Sequence, residues 1–178
     1  MKATRLPATC ALLLAALLIT ASVSAEDKKP VDGPTAVFED DLLQNLVGEW
    51  DLTREIRGEI HKNRVKVEWV LKHQFLQIHM KDVNDPPAYE ALVLIGYDHS
   101  EQRYVIHWLD NFGGKFSAMG SGKRVGDSIP FVFQYPDGPF YNTFSWDAKT
   151  KTWTCLLESQ DKNGKRVRFA KDTLRPRP

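Results

Sequence analysis

The sequence lacks most of the features that mark metalloproteins, nucleotide-binding enzymes and nucleic-acid-binding proteins. Its 178 residues hold only two cysteines, Cys10 and Cys155, and its 24 Lys and Arg residues are balanced by 23 Asp and Glu residues. Neither a disulfide framework nor a nucleic-acid-binding surface is therefore expected. The five histidines show no metal-ligand spacing, and there is no nucleophile motif or phosphate loop, so we predict no metal and no cofactor.

Long hydrophobic runs are equally scarce. The clearest run, residues 11–19, follows two basic residues, precedes small residues that end at Ala25, and is shorter than the ~20 residues of a membrane-spanning helix. This is the pattern of a secretory signal peptide. We expect residues 1–25 to be cleaved on export to the periplasm or the medium, residues 26–37 to form a flexible leader, and residues 38–178 to form one domain that does not span a membrane.

What the chain has in abundance is alternation of apolar and polar residues. After a stretch of helical spacing from Phe38 to Leu46, alternating segments follow one another, separated by turn signals such as Asn163-Gly164. The connections are too short for crossover helices. We predict an all-β fold, an antiparallel up-and-down closed β-barrel of about ten strands with one short N-terminal helix. The strands are predicted to begin near Gly48, Asn63, Phe75, Tyr89, Arg103, Lys115, Ile129, Phe140, Thr152 and Arg166.

The large aromatic residues indicate which side chains face the interior, because such residues prefer the buried side of a strand. Their phase turns Leu71 inward at the end of the second strand. In the third strand it does not decide which alternate side chains face inward, those that include His79 or those that include Met80. The residues predicted to line a ligand site are Trp50, Arg54, Trp69, Tyr104, Trp108, Asp110, Asn142 and Phe144.

Three of these residues, Arg54, Asp110 and Asn142, are polar groups on otherwise apolar faces. A buried polar group needs a partner or a ligand. Arg54 could bind an anionic head group of a ligand, form an ion pair with Asp110, or lie at an open barrel end and face water. The remaining cysteine, Cys155, lies in an alternating apolar run and is expected to be a buried, unreactive thiol.

Three motifs, Gly48-x-Trp50, Ile95-Gly96-Tyr97-Asp98 and Tyr104-x-x-x-Trp108-x-Asp110-Asn111, resemble a secreted bacterial family of unknown function with a calycin-like barrel. The resemblance covers roughly Leu46 to Arg175. The Gly-x-Trp start is also similar to that of lipocalins and nitrobindins, which implies a barrel with an interior ligand site. Nitrobindin-type barrels carry haem through a late histidine, and no histidine follows His107, so the resemblance does not imply haem here.

Together these observations favour an exported barrel that binds a small apolar molecule, with an anionic head group as one option. Two alternatives stay open. One is an isomerase or hydrolase that uses Asp110 or His79 as a general base in the same cavity. The other is a protein-interaction module whose aromatic side chains fill the whole interior.

Overall fold

The computed structural model describes residues 37–178, which form one short helix followed by ten strands. The predicted signal peptide and, apart from Val37, the predicted leader lie outside the described residues. Within this part of the chain no helix is both long and apolar enough to cross a membrane. The elements are α1 (Asp41–Gln44), β1 (Gly48–Ile56), β2 (Glu59–Val70), β3 (Phe75–Asp82), β4 (Glu90–Asp98), β5 (Arg103–Asp110), β6 (Ala118–Gly122), β7 (Ser128–Tyr135), β8 (Gly138–Asp147), β9 (Thr152–Gln160) and β10 (Arg166–Pro176).

The ten strands form a closed antiparallel barrel, as predicted. Each strand pairs with its neighbours in the chain, and β1 also pairs with β10, where Trp50 lies opposite Pro176 and Ile56 opposite Ala170. Closure in this way leaves no sheet edge unpaired. The odd-numbered turns, from β1–β2 to β9–β10, therefore lie at one end of the barrel, and the even-numbered turns lie at the other end with α1.

The predicted inward phase is confirmed for most strands by burial of the alternate side chains. In β3 the buried set is Leu76, Ile78 and Met80, so His79 points outward. Leu71 was expected to point inward but is 66% exposed. The reason is that β2 ends at Val70 and Leu71 begins a turn with a positive φ of 51°.

The helix closes one end of the barrel. It is shorter than its apolar spacing suggests, and Asp40 caps it by accepting a hydrogen bond from the Leu43 amide at 2.7 Å. The Trp50 indole donates to the Leu46 carbonyl at 2.8 Å, and the Trp153 indole donates to the Asn45 carbonyl at 3.2 Å. Because the leucines of this segment are fully buried, the interior at this end is filled with side chains.

Candidate functional site

A cavity of about 450 Å³ occupies the barrel end opposite α1. It is walled by residues from the last parts of β1, β3, β5, β7 and β9, from the first parts of β2, β8 and β10, and from the two loops that follow β3 and β5. The barrel interior is therefore not filled at this end, in contrast to the filled-core alternative. The lining residues are Arg54, Ile56, His61, Asn63, Asp82, Ala88, Tyr89, Trp108, Asp110, Phe112, Phe116, Phe133, Tyr135, Phe140, Asn142, Leu157 and Phe169.

Aromatic side chains make up much of the cavity wall. Tyr89 accepts a hydrogen bond from the Trp108 indole at 3.2 Å and packs against Phe112 with ring centroids 5.8 Å apart. Across the cavity Phe140 packs against Phe169, with ring centroids 5.6 Å apart. Phe112 remains largely exposed on the β5–β6 loop. The rings give the site an apolar wall with a hydrophobic rim at its mouth.

Arg54 lies in the wall and forms an ion pair with Asp172, which is almost completely buried. The two residues face each other across β1 and β10, with Nε to Oδ1 at 2.8 Å and Nη2 to Oδ2 at 2.6 Å. The Arg54 guanidinium also lies 5.3 Å from the centre of the Tyr89 ring. Burial alone would lower the pKa of Arg54, but the hydrogen bonds and charge of Asp172 outweigh it and hold that pKa above its ordinary value.

Two asparagine side chains in the wall have oxygens without hydrogen-bond partners. Asn63 on β2 is 3% exposed and Asn142 on β8 is 1% exposed, and the Oδ1 atom of each is buried and unpaired. Such an atom costs about 1–3 kcal/mol when it stays unsatisfied. Both side chains face the cavity, so a molecule with hydrogen-bond donors could satisfy them from inside.

Two carboxylates also line the cavity. Asp82, at the end of β3, is 8% exposed, and its Oδ1 accepts hydrogen bonds from the backbone and side-chain nitrogens of Asn84 at 2.8 and 2.7 Å. Asp110, at the end of β5, accepts one from the Phe112 amide at 3.1 Å. Within residues 37–178, neither carboxylate forms a salt bridge with a basic side chain.

The structure brings half of the predicted ligand-lining residues together. Arg54, Trp108, Asp110 and Asn142 all line the cavity, and Arg54 pairs with Asp172 and not with Asp110. The other four, which are Trp50, Trp69, Tyr104 and Phe144, face the same interior but lie outside the cavity wall.

Three of these four belong to the closed end of the barrel. Trp50 donates to the Leu46 carbonyl, as described above, and Trp69 donates to Gln44 Oε1 at 2.8 Å. The Tyr104 hydroxyl donates to Asp40 Oδ2. Burial of the phenol and, to a smaller extent, the nearby Asp40 carboxylate raise the pKa of Tyr104 above its usual range. These contacts hold the helical segment on the barrel. The fourth residue, Phe144, packs against Phe131 in the core, with ring centroids 5.6 Å apart.

Sequence reasoning missed Asn63 and Asp82, which line the cavity, and Asp172, which pairs with Arg54. Asp172 had a usable signal, since it alternates with the buried residues Ala170 and Leu174. Asn63, within β2, stands opposite Asp82, the last residue of β3, so only the strand register reveals that they are neighbours.

The histidine proposed as a general base lies elsewhere. His79 is on the outer face of β3, with Nε2 2.7 Å from Glu90 Oε1. His61 is the histidine that reaches the cavity wall, and its Nε2 lies 3.7 Å from Glu59 Oε2. Within the described part of the chain, no group of three or more His, Cys, Asp or Glu residues is arranged to hold a metal ion.

Residues 36–139 match the model of a family described as "Protein of unknown function (DUF1579)". The chain belongs to this family. The DUF1579 match begins before α1 and ends at the start of β8, so it includes Arg54, Asn63 and Asp82, while Asn142 and Asp172 lie beyond it. No curated protein matches this DUF1579 chain at significant similarity.

Proposed function

We propose that the protein binds a small, mainly apolar molecule in the cavity at the open end of the barrel. The observation that carries the proposal is the combination of an aromatic wall with two buried carboxamide oxygens that lack partners. A volume of about 450 Å³ lies within the range of small-molecule sites. A ligand that covers the rings and donates to the amides would remove two unfavourable features of the empty cavity at once.

Two features of the sequence, a predicted export signal and a resemblance to ligand-binding barrels, support this proposal. The pattern of residues 1–25 supports export to the periplasm or the medium. The resemblance of the Gly48-x-Trp50 segment to calycin-like barrels supports an interior site, since those barrels bind ligands inside. A carrier or scavenger that works outside the cytoplasm fits both observations.

Binding of an uncharged fluorescent probe, N-phenyl-1-naphthylamine, tests the proposal. The folded protein should raise the fluorescence of the probe in a saturable way. Leu157→Trp should abolish the signal, because Leu157 lines the cavity and a larger ring would occupy it. Leu156→Trp is the matched control, since Leu156 is the next residue on β9 and points outward.

The outcome is decided by comparing the two tryptophan variants after each has been shown to fold by circular dichroism. Loss of probe binding in Leu157→Trp alone supports an interior site. Equal binding by both variants would place the probe on the outer surface, and the proposal would then fail. Absence of binding to the unaltered protein would also contradict it.

A further inference from the structure

We propose that the polar group recognised in this cavity is an organic cation, an ammonium group on an apolar body, held by Asn63 and Asp82. This inference rests on the proposed binding function and specifies its ligand class. It follows from three features of the cavity: the position of two acceptor side chains, the balance of charge in the wall, and the aromatic faces beside them.

Asn63 and Asp82 form a pair of acceptors on one wall. They lie directly opposite each other in the β2–β3 register, and both side chains point inward. Side chains at such positions have Cβ atoms about 5 Å apart, close enough for one small group to contact both. The Asn63 Oδ1 atom is buried and without a partner. An ammonium group carries three donors and no acceptor, so it can donate to Asn63 and Asp82 together.

The charge of the wall favours a cation over an anion. The guanidinium of Arg54 is matched by the carboxylate of Asp172, so this pair contributes no net charge. Asp82 and Asp110 have no cationic partner among residues 37–178. A carboxylate ligand would add a further negative charge beside Asp82 and Asp110, whereas an ammonium would offset one of their charges.

The aromatic wall suits the remainder of such a ligand. The rings of Trp108, Phe133 and Tyr135 line the same cavity, and an indole or phenyl face attracts a nearby cation. The neighbouring rings can cover an apolar body by stacking. Arg54 already lies over Tyr89, which shows that this wall accommodates a cation against a ring.

Three competitors that share a naphthalene ring but differ in their polar group distinguish the ligand classes. 2-Naphthylmethylamine, 2-naphthylmethanol and 2-naphthoate would each be used to displace N-phenyl-1-naphthylamine from the protein at neutral pH. We expect the amine to bind about tenfold or more tightly than the carboxylate, with the alcohol between them, since hydrogen bonds to charged groups are the stronger class.

Two variants test the residues. Asp82→Asn should weaken binding of the amine about tenfold and change binding of the alcohol by no more than about twofold, because the substitution removes the charge and retains an acceptor. Asn63→Leu should also weaken binding of the amine, because it removes the second acceptor. Glu90→Gln is the matched control, since it removes a carboxylate from the outer face of the neighbouring strand and should change neither competitor.

The results distinguish this inference from the proposed function. If the probe binds inside but the carboxylate competes best, or if the amine and the alcohol compete equally, the cation assignment is overturned and the binding function stands. If Asp82→Asn leaves the amine unaffected, Asp82 is not the anchor and the inference fails. If the unaltered protein binds no probe, both are overturned.

Discussion

At the scale of single residues, Arg54 and Asp172 form the most deeply buried ion pair among residues 37–178. A buried charge whose partner is removed is strongly unfavourable, whereas replacement of both partners by apolar residues is often tolerated. Arg54→Met should therefore lower the free energy of unfolding by about 3–5 kcal/mol, since it leaves the Asp172 carboxylate buried alone. Urea denaturation measures this change.

The double variant Arg54→Met with Asp172→Leu provides the control. It should recover most of the stability lost in the single variant and should still bind N-phenyl-1-naphthylamine. A double variant as unstable as the single one would show that the pair does more than neutralise its own charges.

Asn142 leads to a prediction of the opposite sign. Because its Oδ1 atom is buried without a partner, Asn142→Leu should raise the free energy of unfolding of the ligand-free protein by about 1 kcal/mol. The midpoint of urea unfolding should rise while the slope stays constant. Thr143→Leu, at the outward neighbour on β8, should change the midpoint little. Destabilisation by Asn142→Leu would reveal a partner for the amide.

At the scale of elements, β6 and β7 depend on a glycine. A side chain on Gly122 would lie well inside van der Waals contact of the Pro130 carbonyl oxygen on β7, which belongs to the backbone and cannot rotate away. Gly122→Ala should cost about 1–3 kcal/mol by forcing the two strands apart. Gly114→Ala serves as the control because it has open space and should be nearly neutral. Equal midpoints of thermal unfolding in the two variants would refute this account.

The link between α1 and the barrel predicts an alkaline effect. Burial, then the Asp40 carboxylate, raises the pKa of Tyr104 above its ordinary value of 10.0. Above this pH the unfolded chain loses the phenol proton and the folded chain keeps it, so stability falls as pH rises towards the folded-state pKa. Tyr104→Phe should show a shallower fall between about pH 9 and about pH 11. The free energy of unfolding of both proteins would be measured by urea denaturation across that range. An equal fall in the two proteins would contradict this prediction.

The strands could be predicted from the sequence because alternation and turn residues are local signals. The predicted starts at Gly48, Phe75 and Arg103 coincide with those observed. The predicted start at Asn63 is late, because β2 begins at Glu59, directly after the two-residue turn that follows β1. The site was only half predictable. Alternation shows which face a side chain takes, but not its height in the barrel, and this height separates Trp108 in the cavity from Trp50 beside the helix.

At the scale of the whole molecule, the fold depends on joining the two ends of the described chain. Strand β10 pairs with both β9 and β1, so a chain that ends at Gln160 would expose two long unpaired edges. We expect that chain to aggregate, while a chain that ends at Pro176 stays folded. Size-exclusion chromatography with circular dichroism would distinguish the two. A folded monomer from the shorter chain would show that β9 and β1 can pair directly.

Closure of one barrel end by the helical segment has a kinetic consequence. Under the proposed function, a molecule held in the cavity enters and leaves by the same mouth, and a second molecule cannot push it out from behind. Its residence time should therefore be independent of the concentration of free competitor. Such a protein would load and release its cargo one molecule at a time and could not pass it through as a channel does.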